Sequence, residues 1–500
     1  MKYAKLTLCS EYEVGRIDDR VYGSFIEHLG RAVYGGIYEP GHPAADENGF
    51  RTDVNALIKE LGVGLVRYPG GNFVSGYNWE DGIGPVAERP RRLELAWGTT
   101  EPNTFGTDEF MRWCRVTGTE PMMAVNLGTR GPDGSRNLVE YCNHPGGTYW
   151  SDLRRKNGAE KPHGVKLWCL GNEMDGPWQM CHKDAVDYGK VANEAAKLMK
   201  WTDPSIETVL CGSSSYGMKT FGEWETTALD IAYDNVDYVS MHQYHGNSDD
   251  YLENFLAKGV ETEQFIKSVV SALDYVQGKR HAKKRIDISF DEWNVWYHSH
   301  GAEFEKWCEA PHILEDIYNF ADALVVGEML NAILRHADRV KVACLAQLVN
   351  VIAPIMTENG GKAWKQTIYY PFYYASKYGR GRSLQGLFEG SKYDTRWYTD
   401  VPHVDTSAVL SEDGETLTIF AVNRDLKDDI TLQTKLIAFE GFAPVEHIAL
   451  ENADPEAINT KDHEAVAPVK KACPKTDNGQ LDIPLSPMSW NMVRLQKIKN

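Results

Sequence analysis

The feature that most constrains this fold is a regular alternation of short apolar runs with helical patterns through most of the chain. Eight runs are continuously apolar, which is typical of parallel strands that are covered on both faces. A strand with one face in water would instead alternate apolar and polar residues. The eight runs are residues 21–26, 64–68, 121–126, 165–170, 208–211, 236–241, 286–290 and 340–348.

Helical patterns separate several of these runs. Residues 52–61 and 107–116 both open at a threonine, with Thr52 read as an N-cap, and they stop at Gly62 and Gly118. Longer patterns cover residues 184–200 and 313–335. Eight strand–helix alternations predict an α/β fold, a (β/α)₈ TIM barrel with long loops after its strands. An open, doubly wound sheet is the alternative, but no Gly-x-Gly-x-x-Gly follows the first run.

The pattern changes after about residue 380, where short alternating segments flank turn residues such as Asp413-Gly414. These segments predict a small antiparallel β-sandwich, and residues 3–8 alternate in the same way and are expected to join it. We therefore predict an N-terminal strand in residues 1–16, a catalytic barrel in 17–380 and a C-terminal β-sandwich in 381–500.

Charge and cysteine usage limit the partners and the compartment. The formal net charge of −18 disfavours nucleic acid and anionic membranes as partners, because both require a cationic surface. The sequence has neither a signal-peptide pattern nor an apolar run of the roughly 18 residues needed to cross a bilayer. Cys169, Cys211 and Cys344 lie within apolar runs, where buried reduced thiols are expected. We expect a cytoplasmic protein.

Seven of the eight predicted strands carry polar side chains at, or directly after, their C-terminal ends. In a barrel, the C-terminal ends of the strands meet on one face, and active sites are built there. One polar strand end is ordinary, whereas seven indicate a site. The residues are Glu27 and His28, Arg67 and Asn72, Asn126, Asn172 and Glu173, His242 and Tyr244, Asp291 and Glu292, and Gln347 and Asn350.

Glu173 and Glu292 are the candidate catalytic pair. Cleavage of a glycosidic bond uses one carboxyl group to protonate the leaving oxygen and a second to attack, or to activate water. These two residues follow strands four and seven, which places them across the barrel mouth from each other. Retention of configuration requires carboxyl groups about 5–5.5 Å apart. A surface glutamate is the ordinary alternative for either residue alone, but the pair, with Asn172 and Tyr244, indicates a glycosidase.

Further residues at the mouth have two interpretations each. Glu27 would bind sugar hydroxyls, or act as a nucleophile itself. Arg67 would pair with a carboxylate in the site, or form a structural ion pair. Gly70-Gly71 would let the backbone approach a ligand, and Tyr244 would hydrogen-bond the nucleophile, or only pack. Trp97, Trp178 and Trp296 would form the floor of the cleft, or pack elsewhere. No metal site or cofactor is predicted, because the histidines show no metal-binding spacing.

Four motifs, taken in order, resemble the α-L-arabinofuranosidases of glycoside hydrolase family 51. They are Gly23-Ser24-Phe25-Ile26-Glu27-His28, Arg67-Tyr68-Pro69-Gly70-Gly71-Asn72-Phe73, Leu170-Gly171-Asn172-Glu173 and Asp291-Glu292-Trp293-Asn294. Gly-Asn-Glu alone occurs in many barrel glycosidases, whereas the ordered set is specific. The resemblance extends over nearly the whole chain.

The resemblance implies a (β/α)₈ barrel with a C-terminal β-sandwich, and a retaining exo-enzyme that releases arabinofuranose from arabinan- or arabinoxylan-derived oligosaccharides. It implies Glu173 as the general acid/base and Glu292 as the nucleophile. It also implies an intracellular homo-hexamer. The residues expected to bind substrate are Glu27, Asn72, Asn172, Tyr244, Gln347 and Trp178, with Arg67, His242 and Trp296 in support. The alternatives are another barrel glycosidase, such as a β-xylosidase or endoglucanase, and a non-catalytic carbohydrate-binding barrel.

Overall fold

Eight parallel strands close into a barrel in chain order. The structure is a computed structural model that describes residues 2–477 and 479–498. All eight predicted strands are present, so the TIM-barrel prediction is confirmed and the open sheet is excluded. The barrel strands are Gly23–Phe25, Leu65–Tyr68, Glu120–Ala124, Leu167–Leu170, Glu207–Leu210, Tyr238–His245, Asp287–Val295 and Val340–Leu345.

Apolar side chains fill the inside of the barrel. Phe25, Met122, Leu167, Val209 and Val342 belong to one buried cluster, contributed by alternating positions of different strands. A second, much larger core lies between the strands and the surrounding helices. Burial on both faces is the physical reason for the continuous apolar runs in the sequence. The barrel is therefore a rigid, filled support, and its functional groups lie at the strand ends.

The helices begin and end largely where the sequence predicts. Gly62 and Gly118 adopt left-handed conformations, with φ of 78° and 80°, and end the first two helices. The predicted Thr52 cap is wrong: Arg51 is the N-cap residue, and the Thr52 hydroxyl donates to the carbonyl of Ala44. The α-helices are Thr52–Leu61, Thr107–Thr117, Pro132–Asn143, Tyr149–Lys156, Ala185–Thr202, Glu223–Ala232, Leu252–Phe255, Lys258–Arg280, Phe320–Arg335 and Tyr369–Tyr378.

The helix predicted over residues 313–335 begins later than expected, at Phe320. The side chain of Asn319 accepts a hydrogen bond of 3.0 Å from the backbone N–H of Asp322 and so caps this helix. Residues 313–319 instead form a loop at the barrel mouth, and Leu314 of this loop lines the cavity described below.

Two packed sheets form the C-terminal β-sandwich, as predicted. The N-terminal strand joins it, but Ala4–Cys9 runs parallel to Ile430–Ile437, so the module is not purely antiparallel. Leu6 and Leu432 of one sheet share a buried core with Leu417 of the other. One sheet contains Leu387–Gly390, Ala4–Cys9, Ile430–Ile437, Gln480–Leu485 and Thr476–Asp477; the other contains Glu13–Arg16, Arg382–Leu384, Val404–Leu410, Thr416–Asn423, Ser489–Lys497, Phe442–Glu451 and Val469–Lys470.

The helix Phe320–Arg335 packs the barrel against the sandwich. A Cβ atom on Gly327 would lie 2.4 Å from Trp490 Cδ1, so only glycine allows this close approach. Beside it, buried Arg424 donates to Glu328 at 2.8 Å. Among the described helices, none is long and apolar enough to span a membrane. The exact domain boundaries stay a prediction.

Candidate active site

A cavity of about 480 Å³ lies at the C-terminal ends of the barrel strands. Most of the residues predicted to form a site line it, and Arg67, Asn172 and His242 are buried around it. Three tryptophans from loops, Trp97, Trp178 and Trp296, are among the residues that line the cavity. The predicted residues that line it are Glu27, Asn72, Trp97, Glu173, Trp178, Tyr244, Glu292, Trp296 and Gln347.

Glu292 is held by two donors on its two oxygens. Arg67 Nη1 donates to Oε1 at 2.6 Å, and the Tyr244 hydroxyl donates to Oε2 at 2.8 Å. The second arm of Arg67, Nη2, donates to Asn172 Oδ1 at 2.7 Å. All of these side chains except the partly buried Tyr244 are buried. The carboxylate therefore has a fixed orientation, and Arg67 connects it to Asn172, just after the strand Leu167–Leu170.

Glu173 lies in an uncommon backbone conformation. It follows the strand Leu167–Leu170 after Gly171, which has a φ of 89°, and its own φ is 43°. A non-glycine residue in this region is strained, and such strain is concentrated at functional sites. The turn aims the carboxyl group into the cavity, where Oε2 accepts a 2.6 Å hydrogen bond from Trp178 Nε1. One carboxylate oxygen of Glu173 and one of Glu292 lie within 4.8 Å of each other.

His242 connects Glu173 to the buried carboxylate of Asp291. Its Nδ1 lies 3.0 Å from Glu173 Oε1 and its Nε2 lies 2.9 Å from Asp291 Oδ1. Burial lowers the pKa of His242, but the charge of Glu292 and the hydrogen bonds with Asp291 and Glu173 outweigh it and raise this pKa to about 10. Burial opposes ionisation of Asp291, yet Arg67 and His242 bring its pKa below the usual value. The ring is therefore protonated at neutral pH.

Metal-ligand atoms of Glu173, His242 and Glu292 lie within 4.8 Å of one another. A protonated imidazole donates through both nitrogens and has no lone pair for a metal ion. Both nitrogens of His242 face carboxylate oxygens, which is the arrangement of a donor ring. The trio therefore fits a proton-handling network better than a metal site.

Glu27 accepts three N–H donors in the same cavity. Phe73 N and Trp97 Nε1 donate to Oε1 at 2.9 and 3.0 Å, and Gln347 Nε2 donates to Oε2 at 3.3 Å. A Cβ atom on Gly70 would lie 2.5 Å from Glu27 Cγ. The Gly70-Gly71 pair therefore makes room for the Glu27 side chain, and its predicted role in letting backbone approach a ligand stays a prediction. Burial raises the pKa of Glu27 to about 8.

Comparison with known proteins identifies the family. Residues 57–261 match the "Alpha-L-arabinofuranosidase 1 domain", and residues 291–489 match the "Alpha-L-arabinofuranosidase C-terminal domain". The chain is 58% identical over 499 residues to the intracellular exo-α-(1→5)-L-arabinofuranosidase 1 of Bacillus subtilis, covering 99% of this chain and 100% of that protein. The chain belongs to the α-L-arabinofuranosidases of glycoside hydrolase family 51.

Solved structures agree with this assignment. A family 51 α-L-arabinofuranosidase from Bifidobacterium longum superposes with a TM-score of 0.95 at 44% identity, over 99% of this chain and 100% of that one. An α-L-arabinofuranosidase from Thermotoga maritima, solved as an arabinose complex, gives a TM-score of 0.88 at 33% identity, with the same coverage. The predicted family and the prediction of an enzyme are both confirmed.

Three predicted strand-end residues of this family 51 enzyme neither line the cavity nor contact Glu173, Glu292 or their buried partners. His28 is bonded to Glu101 at 2.9 Å and to the Tyr68 hydroxyl at 2.7 Å. Asn126 holds the loop that follows its own strand by accepting from the backbone N–H groups of residues 128 and 129. Asn350 Nδ2 donates to the carbonyl of Arg31 at 2.9 Å. Their polarity serves the structure around the site.

Sequence reasoning missed several residues around the cavity because they lie in irregular loops. Gln179 donates to the Ser75 hydroxyl at 2.5 Å, and its Oε1 accepts from Asn172 Nδ2 at 3.3 Å. Ser214 and Ser215 line the cavity. Their position directly after the fifth predicted strand was the available signal, because strand ends supply the site in a barrel.

Replacing Glu27 with glutamine should change the pH dependence of stability. The carboxyl group has a folded-state pKa of about 8, above the value of about 4.3 in an unfolded chain. Its contribution to stability is therefore complete below about pH 4.3 and is lost as the pH rises through about 8. Relative to wild type, Glu27→Gln should gain about 2–4 kcal/mol in free energy of unfolding between about pH 5 and pH 8.5.

Urea denaturation at several pH values measures this difference. Glu47→Gln, at an exposed glutamate, is the matched control variant. A Glu27→Gln difference that is constant across the range would show that Glu27 ionises normally in the folded enzyme.

Proposed function

We propose that this enzyme is a retaining, exo-acting α-L-arabinofuranosidase that releases terminal arabinofuranosyl groups from arabino-oligosaccharides, including (1→5)-linked ones. The names of relatives support the linkage, the exo mode and an intracellular location: proteins of Bacillus subtilis and Halalkalibacterium halodurans, each 58% identical, are called intracellular exo-α-(1→5)-L-arabinofuranosidases. Arabinoxylan-derived oligosaccharides belong to the same proposed substrate class. Assembly as a hexamer stays a prediction.

The observation that carries the mechanism is the close approach of Glu173 and Glu292, because one carboxylate oxygen of each lies within 4.8 Å of the other. Retaining glycosidases hold their two carboxyl groups about 5–5.5 Å apart, whereas inverting enzymes need about 6.5–9.5 Å to admit a water molecule between them. The approach of these oxygens supports direct attack by one carboxylate.

In the proposed reaction, Glu292 attacks C1 of the arabinofuranosyl group while Glu173 donates its proton to the leaving oxygen. The C1–O bond breaks, and an arabinosyl ester of Glu292 forms. Glu173, now ionised, removes a proton from water, whose oxygen attacks C1 and releases Glu292. Two inversions at C1 give net retention.

The surrounding contacts suit these roles. Arg67 and Tyr244 fix the attacking carboxylate by one hydrogen bond to each oxygen. His242 and Trp178 contact the two oxygens of Glu173 in the same way. Each reacting group is thus pre-oriented, which lowers the entropy lost on reaching the transition state.

We assign the sugar-binding part of the cavity to polar residues around Glu292. Asn172 Nδ2 lies 3.4 Å from Asn72 Oδ1, so these two amides form one polar wall. The ring of Trp296 packs edge-on against Tyr244, with 5.5 Å between centroids, and gives the cavity an apolar wall. Glu27 and Gln347, bonded to each other, complete the set of groups able to bind the hydroxyls of one furanose ring.

Methanol trapping tests both the stereochemistry and the sugar. With (1→5)-arabinobiose in aqueous methanol, NMR should show methyl α-L-arabinofuranoside as the first transfer product. The β-anomer would contradict the double displacement. On a panel of 4-nitrophenyl glycosides, the α-L-arabinofuranoside should be hydrolysed fastest, and a preference for the β-xyloside or β-glucoside would favour a different glycosidase activity.

A further inference from the structure

A buried serine–aspartate pair lies in the wall of the cavity next to Glu173. Ser214 lines the cavity and is 6% exposed. Both its backbone N–H and its hydroxyl donate to Asp175 Oδ2, at 3.0 and 3.1 Å. The two residues come from loops after different barrel strands, so the contact joins the fifth strand end to the loop that carries Glu173.

The second oxygen of Asp175 is unused. Asp175 is 8% exposed, and its Oδ1 is buried without a hydrogen-bond partner among the described residues. A buried carboxylate oxygen without a donor costs free energy, and native proteins rarely leave one unpaired. Asp175 therefore does not reach the cavity itself, and its Oδ2 fixes the orientation of the Ser214 hydroxyl, which does.

We propose that Ser214, oriented by Asp175, binds a hydroxyl group of the leaving-group sugar. This inference rests on the proposed function and adds a subsite to it. Because the Ser214 hydroxyl gives its proton to Asp175, its lone pairs are left to accept a hydrogen bond.

The location favours the leaving group over the arabinofuranosyl group. Ser214 is bonded to Asp175, two positions after Glu173, while Glu27 and Gln347 are bonded together around the proposed ring-binding part. Trp178 is 52% exposed and donates to Glu173, the residue proposed to protonate the leaving oxygen. Its indole offers an apolar face at the cavity rim, and the Ser214 hydroxyl offers an acceptor. A sugar has both an apolar face and hydroxyl groups.

The test compares a sugar leaving group with an aryl leaving group. For Ser214→Ala and Asp175→Asn, kcat/KM on (1→5)-arabinobiose should fall about 10-fold, the effect of one lost hydrogen bond in a buried site. On 4-nitrophenyl α-L-arabinofuranoside the fall should be less than about 2-fold, because nitrophenol has no hydroxyl to lose. The matched control is Ser205→Ala: this serine also donates to an aspartate, Asp203, but is exposed before the fifth strand, on the opposite face.

Equal losses on both substrates would overturn the proposal and make the pair a support for Glu173. A shifted pH profile for kcat/KM on the aryl substrate would do the same. Unchanged kinetics on arabinobiose would also overturn it. Failure of the proposed function is recognised separately, since wild type would then prefer another aryl glycoside over the arabinofuranoside.

Discussion

Glu292→Ala should lose at least about 10⁴-fold in kcat on every arabinofuranoside, including aryl substrates with good leaving groups. The variant removes the carboxylate that Arg67 and Tyr244 hold in place, and with it the proposed covalent intermediate. No leaving group compensates for a missing nucleophile, so the loss should not depend on the substrate. Stopped assays with purified variant on arabinobiose and 4-nitrophenyl α-L-arabinofuranoside measure it.

Azide distinguishes a missing nucleophile from a damaged site. Truncation at Glu292 opens space beside C1, from which azide can attack the aryl substrate directly. One inversion should give the β-L-arabinofuranosyl azide. Glu194→Ala, at an exposed helix glutamate, should keep wild-type activity and form no β-azide. Substantial turnover by Glu292→Ala without azide would remove Glu292 from the nucleophile role.

The barrel was predictable because its strands are buried on both faces. That burial forces continuous apolar runs, and all eight runs correspond to strands. The catalytic candidates were predictable for a related reason, since a polar residue directly after such a run lies at the barrel mouth. Both glutamates line the cavity, but only Glu173 follows its strand, because the seventh strand extends to Val295 and so includes Glu292.

Side-chain direction at the strand ends was not predictable. His28 follows Glu27 directly, yet it lies against Glu101 and Tyr68 while Glu27 lines the cavity. Neighbouring residues on a strand point to opposite faces. A strand of only three residues is too short for the sequence pattern to show which of them face the barrel interior. The role of Gly70 is also a tertiary effect, because its close contact is with Glu27, 43 positions earlier in the chain.

Contacts between loops could not be predicted from the sequence for a similar reason. The bond between Ser214 and Asp175 joins residues 39 positions apart in two irregular loops, where no periodicity fixes orientation. The start of the helix Phe320–Arg335 was also not predictable from apolar spacing alone. Apolar spacing continued upstream of Asn319, but the capping side chain of Asn319 sets the observed start.

The loss of kcat/KM in Glu173→Ala should depend on the leaving group of the substrate. On arabino-oligosaccharides, whose leaving alkoxide needs a proton, kcat/KM should fall about 10²–10⁴-fold, the usual contribution of general acid catalysis. On 4-nitrophenyl α-L-arabinofuranoside the fall in kcat/KM should be less than about 10-fold, because nitrophenolate leaves without protonation. Glu292 and its two donors remain in place, so the arabinosyl ester still forms.

Hydrolysis of that ester should then limit kcat, since Glu173 no longer activates water. Azide needs no general base, so it should restore kcat on the aryl substrate and give the α-L-arabinofuranosyl azide, with retained configuration. The opposite anomers expected from Glu173→Ala and Glu292→Ala assign each carboxyl group to one side of the sugar. Equal losses on both substrates, or a β-azide from Glu173→Ala, would contradict the acid/base role.

Trp178→Phe, which removes the 2.6 Å hydrogen-bond donor to Glu173, should lower kcat/KM more on arabino-oligosaccharides than on the aryl substrate, as Glu173→Ala does, but by a smaller factor. The variant leaves the acid present but holds its carboxyl group less firmly.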